Sequence, residues 1–154
     1  RDLEILINNF FMMLFIIYLF MISFYNIMTI KSSQTLVSEA LKVVKTITPE
    51  EALELCNNNN CNLIDIRDIR ELHKEGKIEN SQHMPRGMLE FWLDPSSPYS
   101  KNINSEKEIV LFCAGGLRSA LAAKSLNEMG FKKVSHIDGG FAAMKNKGFK
   151  IDQS

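Results

Sequence analysis

The chain has 154 residues and a mass of 17.6 kDa, room for one domain and not two. Its 18 basic and 18 acidic side chains cancel, which argues against a binder of phosphate backbones and against an acidic solvating tail. With 45% hydrophobic and 23% charged residues the chain reads as globular, and its three cysteines are too few for a disulfide scaffold.

The N-terminal segment departs from this average. Residues 1–27 hold Phe10, Phe11, Phe15, Tyr18, Phe20, Phe24 and Tyr25 but only three charges, Arg1, Asp2 and Glu4. Residues 10–30 carry no charge, and a helix over them would cross a bilayer core of about 30 Å. Lys31, Lys42 and Lys45 outweigh the lone Arg1, so as a membrane anchor the segment would leave the rest of the chain on the cytoplasmic side. No small-residue cleavage site follows the apolar run, which argues against a signal peptide. The other reading takes Met28 as the start and residues 1–27 as upstream translation, because the chain begins with Arg and this stretch is rich in Phe, Ile, Asn, Tyr and Met; this reading is preferred. The organisation expected is a hydrophobic segment over 1–30, a linker or helix over 31–43, a domain over 44–150 and a tail over 151–154. The domain is expected in the cytoplasm, free or anchored there by residues 10–30, and that segment is the expected contact with a membrane.

From residue 41 onward, strands and helices alternate. Val43–Ile47 is a β-branched run and predicts a strand. Thr48-Pro49-Glu50-Glu51 supplies an N-cap, a proline at the first helical position and early acids, so a helix is predicted to about Cys56, ending in the Asn57–Asn60 turn. Asn62–Ile66 predicts a buried strand, Asp68–Lys74 a short helix stopped by Gly76, and Ser81–Met84 a strand closed by Pro85. Ser96–Ser105 is loop. Glu108–Phe112 is the best strand in the chain, short, apolar and β-branched. Leu117, Leu121, Ala122, Ser125, Leu126 and Met129 recur at helical spacing before Gly130. Val134–Ile137 is a strand, Gly139-Gly140 a turn and Phe141–Lys147 a helix. Buried strands alternating with helices imply an α/β fold, a mostly parallel sheet of about five strands with helices on both faces.

The chemistry lies after the best strand, in Cys113-Ala114-Gly115-Gly116-Leu117-Arg118-Ser119. Sites in such sheets lie beyond the carboxyl ends of strands. A loop with two glycines lets successive N–H groups turn inward as an anion nest, and the next helix aims its positive end at the same place. A thiol opening this loop, with Arg118 nearby, has its thiolate stabilised. Cys113 therefore reads as a nucleophile rather than an inert buried thiol, and residues 114–119 as the cradle of an anionic substrate or a persulfide.

At these residues the chain resembles the single-domain rhodaneses. The resemblance spans about residues 44–150 and rests on Leu63-Ile64-Asp65-Ile66-Arg67, on Gly76-Lys77-Ile78-Glu79-Asn80-Ser81-Gln82-His83-Met84-Pro85, on the Cys113–Arg118 loop and on Asp138-Gly139-Gly140-Phe141. Glu79-Asn80-Ser81 departs from the Pro-Gly-Ala frequent in the family, away from the nucleophile. Residues 85–95 are similar to one bacterial subgroup. The resemblance implies a rhodanese-like three-layer fold and sulfurtransferase activity. A sulfane sulfur from thiosulfate or another persulfide donor passes through a Cys113 persulfide to a thiophilic acceptor, cyanide or a thiol. It implies loop amides that hold the persulfide and Arg118 as a binder of the anionic donor. Two alternatives are a rhodanese-fold phosphatase or arsenate reductase and a non-catalytic rhodanese-like binding module. The first uses Cys-x5-Arg, whereas Cys113 and Arg118 are separated by four residues with no acid among them; the second usually lacks the cysteine.

Other residues are weighed against plainer roles. Asp65 and Arg67, two apart at a strand end, leave on one side; they read as an ion pair bracing the loops, with support of the Cys113 loop as the functional alternative. Arg86 is either a second cation for the donor or a solvated surface residue. Phe91 and Trp92 are expected to bury area under a long loop. Cys56 and Cys61 read as a helix end and a strand start, and a disulfide between them would close a tiny loop of little value in a reducing cytosol. No metal site is expected, because the cysteines and His73, His83 and His136 lack ligand spacing, and no cofactor motif is present. The expected partners are a small-molecule sulfur donor and acceptor, with no nucleic acid.

Overall fold

The computed structural model describes residues 2–28 and 30–153; Arg1 and Thr29 of the hydrophobic segment and Ser154 of the expected tail lie outside the described residues. The chain divides into two compact units, residues 1–32 and 33–154. The first is a single helix, α1 (Asp2–Met28). Its stretch Glu4–Phe24 has a mean hydropathy of 2.4 and holds no buried residue, so by length and composition it is able to cross a membrane.

The second unit begins with α2 (Ser33–Leu41), which buries Val37 and Ala40. There follow β1 (Lys45–Ile47), α3 (Pro49–Asn57), β2 (Cys61–Asp65), α4 (Ile69–Glu75), β3 (Lys77–Ile78), β4 (Gln82–His83), α5 (Leu89–Leu93), β5 (Glu108–Phe112), α6 (Leu117–Glu128), β6 (Val134–Ile137), α7 (Gly140–Met144) and β7 (Ile151–Asp152). The strands β1-β6-β5-β2-β4 lie in that order in one sheet, all pairs parallel. The expected parallel five-stranded sheet is thus observed.

Local chemistry sets the helix starts. Thr48 accepts the Glu51 N–H at 3.2 Å, and Glu51 accepts the Thr48 N–H at 2.7 Å, so two of the orphan donors at the start of α3 are satisfied. The same reciprocal cap at α4 joins Asp68 and Glu71. Strand alternation sorts the core. Ile109, Leu111 and Cys113 face one side of the sheet with α6 residues Ala122, Ala123 and Leu126. Val110 and Phe112 face the other with Ala52 of α3 and Phe141 and Met144 of α7. Helices therefore cover both faces, because a parallel sheet buries both.

Three expectations need correction, and a helix that none of them named is added. The domain does not end at residue 150, because Ile151 and Asp152 pair antiparallel with Ile78 and Lys77; such two-residue pairing carries no sequence periodicity. The last helix stops at Met144, three residues short of Lys147. A helix, α5, forms in the 85–95 stretch, where no repeat longer than one turn announces it. Phe91 is exposed, whereas Trp92 packs against the core with Lys101 Nζ 3.3 Å from its ring centroid.

Candidate active site

Cys113 is the first residue beyond β5, and only 1% of its surface is accessible. The chain then turns back through Gly116, whose φ of +93° suits glycine, and enters α6. This turn brings the Gly116 N–H to 3.2 Å from Cys113 Sγ, where it donates to the sulfur. The carbonyls of the loop point elsewhere. Cys113 O accepts from Phe141 N–H at 2.7 Å, Ala114 O from Ala142 N–H at 3.1 Å and Gly116 O from Ala120 N–H at 3.0 Å. The amides at the start of α6 have no partner within the helix, and its dipole places partial positive charge beside the sulfur.

The loop is held from behind by α7. A Cβ on Gly140, at φ +52°, would collide with Cys113 O and stand 2.9 Å from Gly116 N. Gly140 thus has a role that its reading as a turn residue missed: it lets two backbones touch. Gly115, by contrast, is exposed with open space around it, and Leu117 is exposed while Ala114 is half-buried. The open side of the nest is therefore the side of Gly115 and Leu117.

Arg118 does not stand free beside the nest. It makes a two-armed ion pair with Glu71, Nη1 to Oε2 at 2.7 Å and Nη2 to Oε1 at 2.8 Å. Glu71 holds the guanidinium pKa above its usual value, with a smaller contribution from Cys113. The same pair lowers the Glu71 carboxyl against the opposing effect of burial. Glu71 escaped notice in the sequence because its visible role is the α4 cap. Nothing in the spacing of residues 71 and 118 signals their contact.

Ser119, grouped with the substrate-binding loop on sequence grounds, is fully buried. Its hydroxyl donates to Gly116 O at 2.9 Å and lies 3.4 Å from His136 Nδ1, while His136 Nε2 is 2.9 Å from Thr46 Oγ1. Burial lowers the His136 pKa and keeps the ring neutral. This polar chain stiffens the start of α6 and offers the site no free hydroxyl.

Asp65 and Arg67 are both fully buried and paired, Nη2 to Oδ2 at 2.7 Å. Arg67 also donates to Gly76 O at 2.8 Å, and its guanidinium carbon lies 3.7 Å from the Phe141 ring centroid. Phe141 in turn donates its N–H to Cys113 O. The bracing pair thus reaches the loop through one aromatic ring. Arg86 is not a second free cation: it pairs with Glu90 at 2.6 Å, which also accepts from Ser125 Oγ at 2.6 Å.

Comparison with known proteins agrees with this geometry. A family profile described as a Rhodanese-like domain matches residues 48–147. The chain is 32% identical over 101 residues to the thiosulfate sulfurtransferase GlpE of Coxiella burnetii, covering 66% of this chain and 87% of that one. Among solved structures, it is similar to a Rhodopseudomonas palustris protein of unknown function, described as a candidate tyrosine phosphatase. The TM-score is 0.75 at 45% identity, over 80% of this chain and 97% of that one. It is also similar to the homodimeric polysulfide-sulfur transferase of Wolinella succinogenes, with a TM-score of 0.62 at 35% identity over 75% and 83% of the two chains.

Proposed function

The chain belongs to the rhodanese-like domain family, and from that premise we propose that it is a sulfurtransferase whose Cys113 carries the sulfane sulfur. The Cys113 thiolate attacks the outer sulfur of thiosulfate or of another persulfide donor. The donor's S–S bond breaks, and sulfite or a thiolate leaves with the electron pair. The persulfide then rests on the amides of Ala114, Gly115, Gly116 and Leu117. A thiophile, cyanide or a thiol, takes the outer sulfur and regenerates the Cys113 thiolate. Arg118 meets the anionic donor, at the expense of part of its contact with Glu71. Ser119, Asp65 and Arg67 are positioning residues. No step calls for a cofactor or a metal.

The observation that carries this reading is the Gly116 N–H on Cys113 Sγ at 3.2 Å inside a loop of four residues between Cys113 and Arg118. Each residue added to such a loop adds an amide and widens the ring. This one is closed down to the sulfur itself, which suits a persulfide better than a tetrahedral oxyanion. The sulfurtransferases of Coxiella burnetii and Wolinella succinogenes add support. The similarity to a candidate tyrosine phosphatase makes ester hydrolysis the second reading. Thiocyanate formation from thiosulfate and cyanide, measured beside hydrolysis of an aryl phosphate, separates them. Sulfur transfer without phosphatase turnover is expected, and faster hydrolysis than transfer would overturn the proposal.

The location proposed is the cytoplasm, supported by Lys31, Lys42 and Lys45 after the apolar helix. Protease cleavage of inside-out but not of right-side-out membrane vesicles tests that placement, and the reverse pattern would contradict it.

A further inference from the structure

A pair of thiols lies at the other end of the sheet. Cys56 is in the last turn of α3 and Cys61 opens β2, joined by a turn of four asparagines. The turn is tightly closed: Asn60 N–H donates to Leu55 O at 2.9 Å, Asn59 takes a φ of +55°, and Lys107 Nζ donates to Asn59 Oδ1 at 2.6 Å. It brings the two Sγ atoms to 2.9 Å, in a thiol–thiol hydrogen bond. Both sulfurs are half-buried and line a cavity of about 330 Å³ with Leu53, Ile78, Asn80 and Phe149. The residues read as a helix end and a strand start are therefore a dithiol on the wall of a cavity.

We propose that Cys56 and Cys61 form a thiol–disulfide exchange site, separate from the sulfur-transfer centre, whose substrates are small disulfides. A bond between them needs the sulfurs to close from 2.9 Å to about 2.05 Å, a movement of under ~1 Å. Cys113 cannot serve as partner. Cys61 pairs in register with Glu108 and Asp65 with Phe112, so the length of β2, about 13 Å at 3.3 Å per residue, lies between the two centres.

The hydrogen bond between the two sulfurs, with the Lys107 ammonium nearby, lowers the Cys61 thiol against the opposing effects of burial and the Glu108 carboxylate, while that same hydrogen bond and burial raise Cys56. The first proton of the pair thus leaves from Cys61. In the first step the Cys61 thiolate attacks one sulfur of the small disulfide. A mixed disulfide forms and one small thiolate leaves with the electron pair. In the second step Cys56 loses its proton and attacks Cys61 Sγ, expelling the second small thiolate. The protein loses two electrons and two protons, and one small disulfide becomes two thiols.

The test uses the full chain and glutathione disulfide, with acid quenching, alkylation and tryptic mapping. Peptide Thr46–Arg67 carries both cysteines and peptide Glu108–Arg118 carries Cys113, so the two centres are read apart. The expected result is a Thr46–Arg67 peptide lighter by two hydrogens that takes no alkyl group, reversed by a dithiol reductant. Cys56→Ser should hold one glutathione on Cys61, and Cys61→Ser should react at least tenfold more slowly. Both variants should keep their transfer of sulfur from thiosulfate to cyanide. A wild-type peptide that still takes two alkyl groups, or that holds glutathione without closing, would overturn the proposal. So would a bridge from either cysteine to Cys113. Equal rates for the two variants would overturn the order of attack.

Discussion

Glu71 and Arg118 set the charge at the mouth of the nest. The pair is two-armed and partly open to solvent, so under the proposed function a donor anion would compete with Glu71 for the guanidinium. Arg118→Ala should raise KM for thiosulfate by roughly tenfold, about 1.4 kcal/mol at a partly solvated site, with a smaller effect on kcat. Glu71→Gln should lower KM. Steady-state kinetics with varied thiosulfate checks both, and an unchanged KM in Arg118→Ala would remove the arginine from donor binding. The pair also has a pH signature. The Glu71 carboxyl is lowered in the folded chain, so its stabilising contribution is complete above the ordinary carboxylate range and is lost only as pH falls through the lowered value. The pair should therefore persist at moderately acid pH, and its loss in Glu71→Gln should flatten the acid limb of a stability–pH curve. Asp65 has a different character. With Arg67 fully buried beside it, Asp65→Ala leaves the guanidinium only the part-exposed Glu75 carboxylate at 3.2 Å and should destabilise by about 3 kcal/mol in chemical denaturation.

The loop after β5 works because two elements support it. The N-terminus of α6 supplies amides on one side, and the first turn of α7 donates to Cys113 O and Ala114 O on the other. Gly140 is the contact point, and its positive φ and missing Cβ are both needed. Gly140→Ala should destabilise the domain by about 1–3 kcal/mol and should reduce sulfur transfer further than the fraction unfolded explains, because the Gly116 amide is displaced from the sulfur. Kinetics and thermal melting on the same preparation check this; a fully active, equally stable variant would refute it. Much of this element-level design was legible. Glu108–Phe112 matches its predicted strand residue for residue, since four apolar residues, two of them β-branched, between a charged run and a Gly-Gly turn admit little else. The Thr48 cap was equally readable, because a capping box is local chemistry. The Asp138-Gly139-Gly140 run was visible as a turn, but its contact with Cys113 spans 27 residues of chain and has no local signature.

At the scale of the molecule, the fold class was legible because alternation of strand and helix is a one-dimensional pattern, whereas the chain's tertiary pairings are not. β3 and β7 are two residues each and meet only through the closure of the chain; Arg118 meets Glu71 only because α4 and α6 follow neighbouring strands of the sheet. The same parallel architecture places a thiol beyond the carboxyl end of β5 and a thiol pair at the amino end of β2. The proposed sulfur transfer centres on the cradle at Cys113, and its direct test is the mass of peptide Glu108–Arg118 after the full chain is mixed with thiosulfate. A gain of one sulfur on Cys113 is expected, removed by cyanide and absent in Cys113→Ser. A Cys113 that stays unmodified while the protein turns over thiosulfate, or a Cys113→Ser variant that still transfers sulfur, would contradict it.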